Sequence, residues 1–409
     1  MPVLTDMTEG GFLPEFPLVA GEFVLLGAAL LAALAAGHAC ARYLRLPRIT
    51  GFVAAGLVLG PSALDLLDTR LLSELRIFVD ISLGLILFEL GRRLDIGWLK
   101  RDPWLAVSGI AESALSFLLV LLTLRAFGIG LLFAATAAAV VMVTSPAVIM
   151  LVVHDEQAQG PLTERLLTLT ALNNVAAFLV ITLLVGFIHA EYAGNWINAL
   201  AHPLYLLSGS LLAGYAAFRI LLELARWLPK RDDVQFVLIV GMVVALVGVA
   251  NALKLSVLLG LLALGVFTRN LDSRRDVLGA EFGPGGQFFF VLLFVLTGAG
   301  IELVDIALGG AIGLALVVAR LAGKLAGLAV FAPFSGLDLR RAAWLAVGMS
   351  PISGVALVML HGAGSLYPEF GIKLAATVSA AIVLLEILGP LATQWALKRA
   401  GETAPGMGK

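Results

Sequence analysis

Val143-Thr144-Ser145-Pro146-Ala147 and Gly348-Met349-Ser350-Pro351-Ile352-Ser353-Gly354 are matching interruptions, each inside a long apolar run. Proline has no amide proton, so inside a helix it leaves a carbonyl one turn earlier without its partner. In lipid such a freed group is tolerated only beside protein, water or an ion. One interruption in each half of a chain of many apolar runs is the pattern of a secondary transporter with its site at the crossing of two broken helices. Taken singly, each is equally a structural kink.

The flanking sequence defines the solvent. The chain has 409 residues, 60% hydrophobic and 13% charged, with a mean hydropathy of +1.01. That is too little charge to cover a soluble surface of this size. Apolar runs of about 20 residues recur. Thirteen spans are expected, near 20–43, 49–61, 71–91, 103–126, 129–153, 163–189, 202–224, 234–251, 255–268, 285–303, 307–332, 342–361 and 371–396. The expected class is an all-α polytopic membrane protein. The 44 glycines suit close helix packing in lipid. A net charge of -1 offers no bulk basic face to nucleic acid. The single cysteine, Cys40, excludes an internal disulfide and a cysteine metal cluster. No enzyme activity, metal centre or cofactor is expected. The first run follows Asp6, Glu9 and Glu15, not a basic stretch, so it reads as a retained span.

Charge sets the expected orientation. With thirteen spans, one side collects Arg42, Arg45, Arg48, Arg92, Arg93, Lys100, Arg101, Arg226, Lys230, Arg231, Arg269, Arg274, Arg275, Arg340, Arg341, Lys398 and Arg399. The other holds Asp65, Asp68, Glu191, Glu302, Asp305 and Glu369, with fewer basic residues, chiefly Arg70, Arg125, Lys254 and Lys373. The C-terminus is therefore expected in the cytoplasm and the N-terminus outside. The interruptions fall in spans five and twelve. An odd offset reverses direction, so residues 20–189 and 234–396 read as inverted repeats, with 202–224 as linker.

Few residues inside the spans carry chemistry. Thr144 and Ser145, with Ser350 and Ser353, offer oxygens to a cation beside Pro146 and Pro351. Asn173 and Asn174 are adjacent amides in an apolar helix: carbonyl ligands on one reading, helix-to-helix glue on the other. Arg320 and Lys324 share a helix face at i,i+4. Arg320 is a fixed positive charge that replaces a bound ion or closes a salt bridge; Lys324 either joins it or snorkels to the surface. Asp80 and Glu112 are candidate proton carriers, partners of Arg320 or structural ion pairs. Glu89 is expected to pair near Arg92 and Arg93, and the histidines lie near span ends.

Several of these stretches resemble the prokaryotic monovalent cation/proton antiporter superfamily, in its sodium/proton and potassium/proton exchanger branch. They are Arg45-Leu46-Pro47-Arg48-Ile49-Thr50-Gly51 through Leu59-Gly60-Pro61-Ser62, and Leu83-Gly84-Leu85-Ile86-Leu87-Phe88 before Gly91. The most specific run is Thr144-Ser145-Pro146-Ala147, Gly160-Pro161-Leu162-Thr163 and Ala171-Leu172-Asn173-Asn174; Arg320, Gly323-Lys324 and Gly348-Met349-Ser350-Pro351 complete it. The resemblance implies exchange of Na⁺ or K⁺ for protons in a bacterial inner membrane. It implies a mobile core at 103–189 and 307–396, and a homodimerising scaffold at 20–91 and 234–303. Relatives place an Asp where Asn174 stands. That departure leaves two other expectations open: an anion or neutral-solute transporter on the same fold, and a non-transporting sensor or scaffold.

Overall fold

The computed structural model describes residues 21–193, 196–277, 284–301, 303–352, 356 and 368–404. Among these the regular structure is entirely helical. The helices are α1 (Glu22–Ala39, continued by a π turn), α2 (Arg48–Leu59), α3 (Thr69–Glu74), α4 (Arg76–Arg92), α5 (Ile96–Arg101), α6 (Pro103–Ala126), α7 (Leu131–Val141) and α8 (Pro146–Asp155). They continue as α9 (Pro161–Ala193), α10 (Trp196–Trp227), α11 (Asp232–Ala252), α12 (Val257–Leu271), α13 (Pro284–Ala299), α14 (Leu303–Phe331), α15 (Leu339–Gly348) and α16 (Pro368–Ala400). By length and composition eight helical segments among the described residues can cross a membrane, and three shorter apolar ones accompany them: Arg48–Leu59, Val257–Leu271 and Gly286–Ala299. Large apolar side chains such as Phe23, Leu31, Leu212, Val237 and Val318 face outward, as lipid contact requires.

Both interruptions are breaks in helix geometry. The chain leaves α7 at Val141 and resumes helix at Pro146. Ser145 caps α8, its hydroxyl accepting from the Val148 amide at 3.3 Å, and Pro146 takes the first helical position, where a missing N–H costs nothing. In the second break α15 ends at Gly348, and Ser350–Ile352 are non-helical. The breaks meet: the Ser145 amide donates to the Pro351 carbonyl at 2.8 Å. Ser353, Glu302, His361 and most of the second half of the twelfth expected span lie outside the described residues.

Lipid supplies no hydrophobic force between helices, so close approach must do the packing. Helix α14 lies against α6 along Gly323 and Gly327. A Cβ on Gly327 would stand 2.4 Å from the Glu112 Cα, and one on Gly323 2.5 Å from the Ser116 Cα. Helix α14 also packs on α16, α15 on α16, and α6 on α7 and α9. A second set joins α4 to α12 and α2 to α13.

Candidate functional site

Helix α14 carries Arg320 to the level where the breaks cross. The side chain is 1% exposed. Its Nε donates to the Val141 carbonyl at 2.7 Å, Nη1 to Ser350 at 2.6 Å, and Nη2 to Val143 at 2.8 Å, Met349 at 3.2 Å and Pro351 at 3.3 Å. These carbonyls belong to the frayed C-terminal ends of α7 and α15 and the segments that follow. Helix C-termini carry partial negative charge, and their last carbonyls lack intrahelical partners. The planar guanidinium fork meets both needs. The salt bridge expected as one alternative for Arg320 is not formed among the described residues; its guanidinium donates to carbonyls of both breaks instead.

One turn along α14, Lys324 points to α6. Its Nζ lies 2.8 Å from Glu112 Oε2, and both side chains are fully buried. The same ammonium donates to Thr144 Oγ1 at 2.9 Å. Snorkelling is thus corrected: the close approach of α14 to α6 at Gly327 puts Glu112 nearer than any surface. Glu112 Oε1 accepts from Ser113 Oγ at 2.9 Å and from Asn173 Nδ2 at 3.0 Å. The Asn173 amide also donates to Ser113 Oγ at 3.0 Å and the Met142 carbonyl at 3.2 Å, while its Oδ1 accepts from the Thr144 amide at 2.8 Å. Thr144 Oγ1 reaches the Met349 carbonyl at 3.4 Å. A buried ion pair survives only when its remaining lone pairs and protons are satisfied. Here α6, α9, α14 and the first break give each carboxylate oxygen a donor and the ammonium two acceptors.

Asn174 is also fully buried. Its Nδ2 donates to the Thr144 and Thr170 carbonyls, each at 2.9 Å, and its Oδ1 has no partner among the described residues. A buried acceptor without a donor is uncommon and suits an incoming cation or water. The structure therefore gathers Thr144, Ser145, Asn173, Asn174, Ser350, Arg320, Lys324 and Glu112 around the crossing of Pro146 and Pro351. It leaves Asp80 apart, half-buried on α4, a helix packed chiefly on α11, α12 and α13. Glu89 pairs with Arg92 at 3.0 Å and Arg93 at 3.6 Å. Sequence reading overlooked Ser113. Its signal was the polar stripe of Ser108, Glu112, Ser113 and Ser116 on an otherwise apolar helix, all buried here. No group of His, Cys, Asp and Glu able to hold a metal occurs among the described residues.

The family model described as sodium/hydrogen exchanger, transmembrane, matches residues 27–399. No curated protein sequence matches the chain. Among solved structures, it is similar to the sodium proton antiporter MjNhaP1 from Methanocaldococcus jannaschii at pH 8. The TM-score is 0.68 and the identity 17%, over 92% of this chain and 95% of that one. An electron-microscopy structure of the same antiporter gives 0.71 and 18%, over 93% and 98%. At these identities the likeness is one of fold: an all-α polytopic membrane protein with discontinuous helices.

Proposed function

The chain belongs to the sodium/hydrogen exchanger family, and from that premise we propose that it exchanges Na⁺ or K⁺ for protons by alternating access at the crossed breaks. Membership makes it a membrane transporter and not an enzyme. The observation that carries the reading is the fully buried Glu112–Lys324 pair, closed onto Thr144 at the first break. An entering cation competes with the ammonium for Glu112. Displaced into an apolar bundle, the ammonium loses its counter-charge and gives up its proton. The balance is Glu⁻·LysH⁺ + M⁺ → Glu⁻·M⁺ + Lys + H⁺. Reprotonation of Lys324 rebuilds the pair and expels the cation. Thr144, Ser145, Asn173, Asn174, Ser350 and Ser353 provide the oxygens. Arg320 takes no proton; it holds the broken ends together.

The finer architecture belongs to the same proposal. Thirteen spans form two inverted repeats, and packing supports the pairing. With the α1–α9 and α11–α16 halves exchanged, α4 on α12 becomes α13 on α2, and α6 on α7 becomes α14 on α15. The core at 103–189 and 307–396 moves against a homodimeric scaffold at 20–91 and 234–303, with a cytoplasmic C-terminus.

One observation favours a second reading. Among the described residues the crossing buries two basic side chains, Arg320 and Lys324, with one ion-paired acid, Glu112, a surplus of positive charge over paired acid that suits an anion. Proteoliposomes separate the two. An outward cation gradient should drive proton uptake with Na⁺ or K⁺ and fail with a bulky organic cation. Proton movement that follows the anion instead sinks the antiporter reading.

A further inference from the structure

Glu386 lies on α16, is 2% exposed, and belongs to no hydrogen bond of the Glu112–Lys324 network. Its Oε1 is buried without a partner among the described residues. The face it occupies is fixed by two neighbours. Thr393 Oγ1 donates to the Gly348 carbonyl at 2.9 Å. Gly389 touches the second break so closely that a Cβ there would lie 2.6 Å from the Pro351 Cα. Residues 386, 389 and 393 fall at i, i+3 and i+7, on one side of a helix. Glu386 therefore stands on the wall of the crossing, within about one 5.4 Å turn of Gly389.

The elements packed on α16 are α14, α15, α7, α8, α2 and α9. Among the side chains that the structure describes, their charged groups are Arg320 and Lys324, committed to carbonyls and to Glu112; Arg340 and Arg341 at the far start of α15; His154 and Asp155 at the end of α8; Arg48 on α2; and Glu164 and Arg165 at the start of α9. Within the 4.0 Å ion-pair distance none of them reaches Glu386 among the described residues. An ionised carboxylate left so is far costlier than a neutral carboxyl.

We propose that Glu386 is a second proton- and cation-binding carboxyl of the transport site, giving up its proton as a monovalent cation arrives. The inference rests on the antiporter reading and deepens it. It restores the acid that Asn174 cannot supply. The step is –COOH + M⁺ → –COO⁻·M⁺ + H⁺, with the proton passing to water on the open side.

The test is infrared difference spectroscopy on the full-length protein in lipid vesicles, with Na⁺ or K⁺ against choline. Wild type should lose a protonated-carboxyl stretch on adding Na⁺ or K⁺, and Glu386→Gln, which mimics the neutral acid and preserves packing, should show no such loss. Total proton release per protein chain at saturating Na⁺ or K⁺, read with a pH indicator, should fall by about one in that variant. Loss of the band in both proteins, or in neither, overturns the proposal. Failure of the antiporter reading shows separately, as absent wild-type exchange in the same vesicles.

Discussion

Glu112 and Lys324 are each fully buried and each depends on the other. Removing one partner of such a pair strands a charge and costs about 3–5 kcal/mol. Glu112→Gln and Lys324→Met should each abolish exchange and lower the melting temperature. The double variant, with no stranded charge, should recover much of the stability and none of the exchange; thermal melts beside flux assays read both. Asn174→Asp places an acid where an unpartnered oxygen now sits. It should tighten cation binding at high pH and steepen the pH profile of exchange, and an unchanged profile would remove Asn174 from the site. The sequence showed Asn173, Asn174, Arg320 and Lys324 as polar groups within apolar helices. It did not show that Arg320 meets carbonyls and Lys324 meets the acid. That choice depends on which broken ends converge, and no one-dimensional pattern carries it.

At the scale of elements, proline made both breaks legible, and apolar run length placed most helix ends within a few residues. What the sequence could not reveal is how the first break is held open. The Met142 carbonyl accepts from Asn173 at 3.2 Å, and an alanine at position 146 would bring an amide that competes for it. Pro146→Ala should therefore extend α7 towards α8, pull Asn173 off its partner and depress exchange while insertion is preserved. Flux and surface expression measured together test this, and full flux would make the break a structural kink. Gly327→Ala forces α14 away from Glu112, because its Cβ would stand 2.4 Å from that residue's Cα. An overpacking cost of about 1–3 kcal/mol and a several-fold drop in exchange are expected. Gly241→Ala, whose Cβ would meet nothing within 4 Å, should leave both intact.

Across the whole molecule, hydropathy identified the membrane class because lipid demands long apolar helices. Orientation rests on loop charge, and it predicts that a cysteine placed after Arg399 reacts only with reagents that enter the cell. Short helices such as α2 and α12 are apolar yet below the usual spanning length, so composition alone assigns them weakly. Their place is set by backbone contact instead: a Cβ on Gly298 would stand 2.3 Å from the Val53 carbonyl, and one on Gly265 2.1 Å from that of Phe88. Competition between cation and proton at the buried Glu112–Lys324 pair is read out by proton flux in proteoliposomes. Wild type should dissipate an imposed pH gradient on addition of Na⁺ or K⁺, and Lys324→Met should not. A wild type that stays silent to every monovalent cation, or a Lys324→Met variant that exchanges as wild type does, would contradict the account.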